Sequence, residues 1–175
     1  TMTSRPSIGF DRSLRIRTWP DDSVAAPYDE TSMRSMLVGR SRCAGPIILA
    51  WDSASAGGRG PNHGHNVVFH EFAHHLDGLD GYLDGAPPFS ADDARQEWLQ
   101  VKSVEYRRLV RKSESGEPTL LDTYGATSEA EFFAVCTEMF FQMPARLMRV
   151  HPELYAALQN VYQLDTAELF GQPAY

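Results

Sequence analysis

Asn66-Val67-Val68-Phe69-His70-Glu71-Phe72-Ala73-His74-His75-Leu76-Asp77 is the stretch whose reading decides what this chain is. It contains His70-Glu71-x-x-His74, the H-E-x-x-H pattern. On an α-helix, residues i and i+4 lie on one face about a turn apart. His70 and His74 can therefore offer imidazole nitrogens to one tetrahedral Zn²⁺, and Glu71 can hold and deprotonate a water activated by that metal. The competing reading is an ordinary polar helix face. Against it, Val67, Val68, Phe69, Phe72, Ala73 and Leu76 surround the polar trio, so the helix is apolar nearly all round. A buried polar group left unpaired costs about 1–3 kcal/mol, and a metal would supply the partner.

The 175 residues are 42 % hydrophobic, enough for one compact domain over 1–175 with a loose polar leader at 1–13. A formal net charge of −7 argues against a nucleic-acid footprint, which needs clustered Lys and Arg. No run approaches the ~18 apolar residues of a membrane span, and no apolar signal region stands near residue 1. Cys43 and Cys136 are isolated, which excludes a disulfide scaffold and fits a reducing cytoplasm; Cys136 reads as a small core residue.

Upstream of the His-rich helix, 14–19 alternates apolar with polar, 33–38 is a second strand candidate, and Ile47-Ile48-Leu49-Ala50-Trp51 is an apolar run bounded by turn residues. These predict a small sheet. Gly57-Gly58-Arg59-Gly60-Pro61-Asn62 is a flexible loop without the G-K-[ST] ending of a phosphate loop. The helix is expected over 65–77, with Gly78 ending it and a long turn over 78–90. A helix follows over 91–114, with Trp98, Val101, Val104 or Glu105, and Leu109 roughly on one face. Ser128 and Glu131 fit the capping box S-x-x-E at the head of a Phe-rich helix reaching about Met143. A last pair of helices is expected over 152–163 and 166–170, with Pro152 in a first turn.

A catalytic zinc needs a third protein ligand. His75 points about 100° away from His74. The extended pattern H-E-x-x-H-x-x-G-x-x-H fails, with Asp77 and Asp80 where its Gly and last His belong. Glu131, Glu138, Glu129 and His151 remain. Glu131 and Glu138 share one side of the Phe-rich helix, and a carboxylate on so apolar a helix demands compensation. Glu131 has a competing role in the capping box, and Glu138 could pair with an Arg.

Gly64-His65-Asn66-Val67-Val68-Phe69-His70-Glu71-Phe72-Ala73-His74 with Leu76-Asp77, then Asp122-x-Tyr124-x-Ala126 leading to Ala130-Glu131-Phe132-Phe133-Ala134-Val135, resemble the Mlc titration factor A family of bacterial zinc peptidases. Pro46–Trp51 and His151-Pro152-Glu153-Leu154-Tyr155 fit as well, so the resemblance spans about 45–165. That family is similar to gluzincins and to the catalytic core of anthrax lethal factor. It implies an α+β, zincin-like domain: a small sheet packed on the H-E-x-x-H helix, with a helical C-terminal half. It implies one Zn²⁺ on His70, His74 and Glu131, Glu71 as general base, and Tyr124 near the metal as oxyanion stabiliser. Many gluzincins carry an acid four residues after the ligand Glu that orients a histidine. Here that place is Val135, so Asp77 or Asp122 is expected to take the role.

The function expected is peptide hydrolysis on a peptide or protein substrate, an aminopeptidase among the possible modes, with an extended peptide adding along the strand at 47–51. The alternative is a regulatory binding module, partner of a transcriptional repressor of the Mlc type, with a structural zinc. A third reading is a secreted protease. Neither nucleic acid nor a membrane is expected as a partner.

Overall fold

In the computed structural model of this chain, residues 64–170 are described. They form six α-helices: α1 (Val67–Asp77), α2 (Asp92–Ser115), α3 (Glu129–Gln142), α4 (Pro144–Val150), α5 (Pro152–Tyr162) and α6 (Thr166–Phe170). Two 3₁₀ turns, Gly78–Asp80 and Thr123–Ala126, connect them.

Of these residues 74 % are helical and none is in a strand, which overturns the expected α+β class. The three segments that suggested a sheet, 14–19, 33–38 and 47–51, lie outside the described residues, as do the loop at 57–62 and the leader. What packs on the H-E-x-x-H helix here is another helix. Phe69 of α1 stacks on Phe141 of α3, ring centroids 4.7 Å apart. Short apolar runs cannot by themselves tell a strand layer from a helix layer. A helix apolar on all sides can supply the covering layer, and α3 is such a helix.

α3 is the axis of the described fold. Every residue from Phe132 to Phe140 is buried. Trp98 of α2 meets Phe133 edge-on at 5.5 Å, Phe140 packs on Tyr155 and Tyr162 of α5, and the Tyr162 hydroxyl pairs with Thr137 Oγ1 at 2.7 Å. Leu147, Leu154 and Leu158 complete this core. Cys136 sits inside it, fully buried.

α1 begins at Val67 because Asn66 is its cap: the Asn66 side chain accepts from the backbone N–H groups of Val68 and Phe69. α2 buries Trp98, Lys102, Glu105 and Leu109. Of the two candidates for its middle turn, Glu105 faces inward and Val104 is 53 % exposed. Burial of the carboxylate is made possible by His151, whose Nδ1–H donates to Glu105 Oε2 at 2.7 Å. α4, a helix that the sequence pattern does not predict, begins on Pro144, which has no backbone N–H to leave unsatisfied.

Asp77, fully buried at the end of α1, accepts from the Gly85 and Ala86 amides at 2.9 and 2.7 Å. Trp98 Nε1 and Lys102 Nζ donate to the carbonyls of Gly85 and Asp84. The segment after α1 is thus a strap pinned to α1 and α2. Gly85 has φ +71°, and a Cβ there would run into the Glu129 carbonyl of α3. Among the described residues no helix is long and apolar enough to cross a membrane.

Candidate metal centre

α1 and α3 bring three side chains to one point. His70 Nε2 lies 3.2 Å from His74 Nε2 and 3.0 Å from Glu131 Oε2, and His74 Nε2 lies 3.3 Å from that same oxygen. A tetrahedral metal with bonds of about 2.0–2.1 Å spaces its ligand atoms about 3.3 Å apart, so the triangle has the dimensions of three such ligands. Among the described residues, His70, His74 and Glu131 are the group that could hold a metal ion.

The local sequence explains each placement. One helical turn separates the two histidines, whose rings meet edge to face at 4.8 Å. Ser128 caps α3 by accepting from the Glu131 amide at 3.2 Å. The Glu131 carboxylate turns its Oε2 to the histidines, so the capping box contributes its Ser half while its Glu serves the triangle. His74 and Glu131 keep 19 % and 21 % of their side chains exposed, leaving the group reachable from one side.

The electrostatics call for a cation. Burial pulls the His70 imidazole down, but the Glu131 and Glu138 carboxylates outweigh it and hold its pKa at about 9. Burial pushes Glu131 up, yet hydrogen bonds from His70 and His74 hold it well below the usual carboxylate range. A proton and a metal ion compete for the same nitrogen, and the two carboxylates favour either cation over none. Two imidazoles and a carboxylate form a donor set that suits Zn²⁺.

Glu71 follows His70 on α1. It is half-buried, and its side chain makes no hydrogen bond or ion pair among the described residues. Tyr124 stands in the 3₁₀ turn before α3, its ring centroid 6.0 Å from that of His70. The Asp122 carboxylate accepts from the Tyr124 amide at 2.8 Å and fixes that turn.

Neither Asp77 nor Asp122 hydrogen-bonds a histidine of the triangle. Asp77 is engaged with the strap, and Asp122 stands 3.4 Å from exposed His65. The carboxylate on His70 is Glu138, whose Oε1 lies 2.6 Å from Nδ1. Its signal in the sequence was its place seven residues, two helical turns, after Glu131. Glu129 pairs with Lys102 at 2.6 Å and His151 with Glu105, so neither joins the triangle.

Two histidines one turn apart, closed by a carboxylate from a second helix, define a candidate metal centre of the metallopeptidase kind. The chain belongs to the glucose-regulated metallo-peptidase M90 family, whose profile matches residues 15–163. It is 31 % identical to Mlc titration factor A of Escherichia coli over 153 residues, covering 84 % of this chain and 54 % of that protein. Against Mlc titration factor A of Edwardsiella ictaluri it is 30 % identical over 145 residues, 79 % of this chain and 53 % of the relative. An uncharacterized protein of Synechocystis sp. is 42 % identical over 122 residues, 70 % of this chain and 44 % of the relative. The chain therefore spans about half the length of these relatives, and the resemblance read from its motifs holds.

Proposed function

We propose that this chain is the catalytic part of a zinc peptidase that hydrolyses peptide bonds with Glu71 as general base. The observation that carries the reading is the triangle of His70, His74 and Glu131 beside a Glu71 with no other side-chain partner among the described residues. Zinc held there would supply Lewis acidity, polarising a carbonyl and bringing the pKa of a water towards ~7. The Glu71 carboxylate takes the proton from the attacking water and delivers it to the leaving amine. The Tyr124 hydroxyl donates to the oxyanion that develops on the scissile carbonyl. His70, His74 and Glu131 hold the metal, and their half-buried setting limits how much water surrounds the reacting bond. The isolated cysteines support a cytoplasmic setting.

A second reading draws on the relatives' name: Mlc titration factor A. A repressor of the Mlc type is a candidate partner of this chain, as a bound protein or as a substrate.

The deciding experiment incubates zinc-loaded protein with a mixed peptide library and reads cleavage by mass spectrometry, with Glu71→Gln alongside. Cuts by the wild type that fall by roughly 10²–10⁴-fold in the variant, at equal zinc content, support the peptidase. The positions of those cuts separate aminopeptidase from endopeptidase. Equal cutting by both proteins removes Glu71 from its role, and an inert wild type turns the reading to the binding module.

A further inference from the structure

We infer that Glu138 is the positioning residue of this metal centre, acting by fixing which nitrogen of His70 carries the proton. The inference rests on the metal-centre reading and adds to it a residue that touches no metal.

Glu138 is 4 % exposed, on the α3 face that meets the start of α1. Two donors converge on its carboxylate. The Asn66 backbone N–H donates to Oε2 at 2.5 Å, and the His70 Nδ1–H donates to Oε1 at 2.6 Å. A third group, His65 Nδ1, stands farther off at 3.9 Å from Oε2. With its proton held on Nδ1, neutral His70 leaves its Nε2 lone pair free on the side where His74 and Glu131 lie.

A backbone N–H can only donate, so one oxygen at position 138 is committed to Asn66. The other must accept from Nδ1–H if Nε2 is to bind a metal. Position 138 therefore requires two acceptors, which a carboxylate has and a carboxamide lacks. In Glu138→Gln the single oxygen cannot stand at both the places that Oε1 and Oε2 occupy, so it meets one of the two donors. Given to Asn66, it leaves an NH₂ facing Nδ1, which drives the ring proton to Nε2, the nitrogen of the triangle. Given to His70, it leaves the Asn66 amide facing an NH₂ at the cap of α1. Either arrangement weakens the site while changing hardly any volume.

The same contact positions the helix. Gly64, with φ +89°, lies where a Cβ would overlap the Met139 sulfur, one residue beyond Glu138. The Gly64-His65-Asn66 entry to α1 is thereby set against the Glu138–Met139 turn of α3, which places His70 over Glu131.

The test is zinc affinity, by competition with a chelator, for wild type and Glu138→Gln of matched circular dichroism. Asn66 amide exchange is followed in each with and without zinc. The expected result is a 10–100-fold weaker Kd in the variant. Zinc is also expected to speed Asn66 exchange in the variant and not in the wild type, because binding forces its one oxygen to His70. A variant Kd within twofold of wild type overturns the role of Glu138. A wild type that binds no zinc overturns the metal centre itself, a distinct outcome. Should Glu138→Gln not fold, the ¹⁵N spectrum of the zinc-loaded wild type decides: a His70 ring proton on Nδ1, moved downfield by the carboxylate, supports the inference, and one on Nε2 overturns it.

Discussion

Glu131 and Glu138 look alike in the sequence: two glutamates seven residues apart on one apolar helix. On the one ring they share, that of His70, their partners differ by a nitrogen. Glu131 faces His70 Nε2 and Glu138 faces Nδ1. Helical period put both carboxylates on the correct side, but the crossing of α1 over α3 decides which nitrogen each meets, and no local pattern encodes that crossing. That His70 and His74 share a face is legible because one helical turn separates them. The roles of Asp77 and of Glu138, a candidate ligand that instead meets His70 Nδ1, are set alike by distant partners: those of Asp77 are the Gly85 and Ala86 amides of the strap. Tyr124→Phe removes a single hydroxyl, and kcat is expected to fall about 10²–10³-fold with zinc affinity unchanged, measured by peptide turnover and chelator competition. An unchanged kcat would remove Tyr124 from the oxyanion. Gly85→Ala forces a side chain into the left-handed region and against the Glu129 carbonyl, so a loss of about 1–3 kcal/mol is expected in urea unfolding.

At the scale of elements, helices with clear caps were readable and their partners were not. Ser128 and Pro152 mark the starts of α3 and α5 where side-chain chemistry alone would put them, whereas α1, expected from 65, begins at Val67 after its cap Asn66. α2 shows the limit of pattern. Val104 is the apolar choice for its middle turn, yet Glu105 is buried, because His151 waits across the interface. α4 passed unnoticed because a seven-residue helix has too few turns to show a period. Among the described residues the expected sheet has no strand, and Phe69 of α1 finds a helical cover in Phe141 of α3. Ser128→Ala tests an element end that also serves the site. The lost cap should cost about 1 kcal/mol in urea unfolding and, by loosening the first turn of α3, weaken zinc binding as well. A stability loss with an unaltered Kd would show that the Glu131 carboxylate is held by the histidines rather than by its helix.

Across the whole described fold, the triangle joins α1 to α3, so a metal bound there adds to stability by mass action. At free zinc 100 times its Kd the gain is about 2.7 kcal/mol, visible as a rise in Tm that a chelator reverses. Acid acts through another pair. The hydrogen bond from His151 is the main influence holding the Glu105 carboxyl below its usual pKa, more than offsetting the upward push of burial, with Arg108 adding to it. A lowered folded-state pKa gives stability that is full above the ordinary carboxylate range, about 4.3, and is lost as pH falls through the lowered value. The stability difference between wild type and Glu105→Gln should thus shrink on acidification below about 4; a difference flat down to the lowered pKa would refute the pairing. The strap after α1 carries a different consequence, for the chain lengths this fold tolerates. Tyr82 and Leu83 are exposed and their side chains make no hydrogen bond or ion pair among the described residues, whereas Asp84, Gly85 and Ala86 are held by Lys102, Trp98 and Asp77. Extra residues inserted before Asp84 can bulge into solvent and leave every anchor in register. One residue inserted between Asp84 and Ala86 displaces an anchor and turns a backbone carbonyl or amide away from its buried partner, so lengthening is tolerated on one side of Asp84 and not on the other.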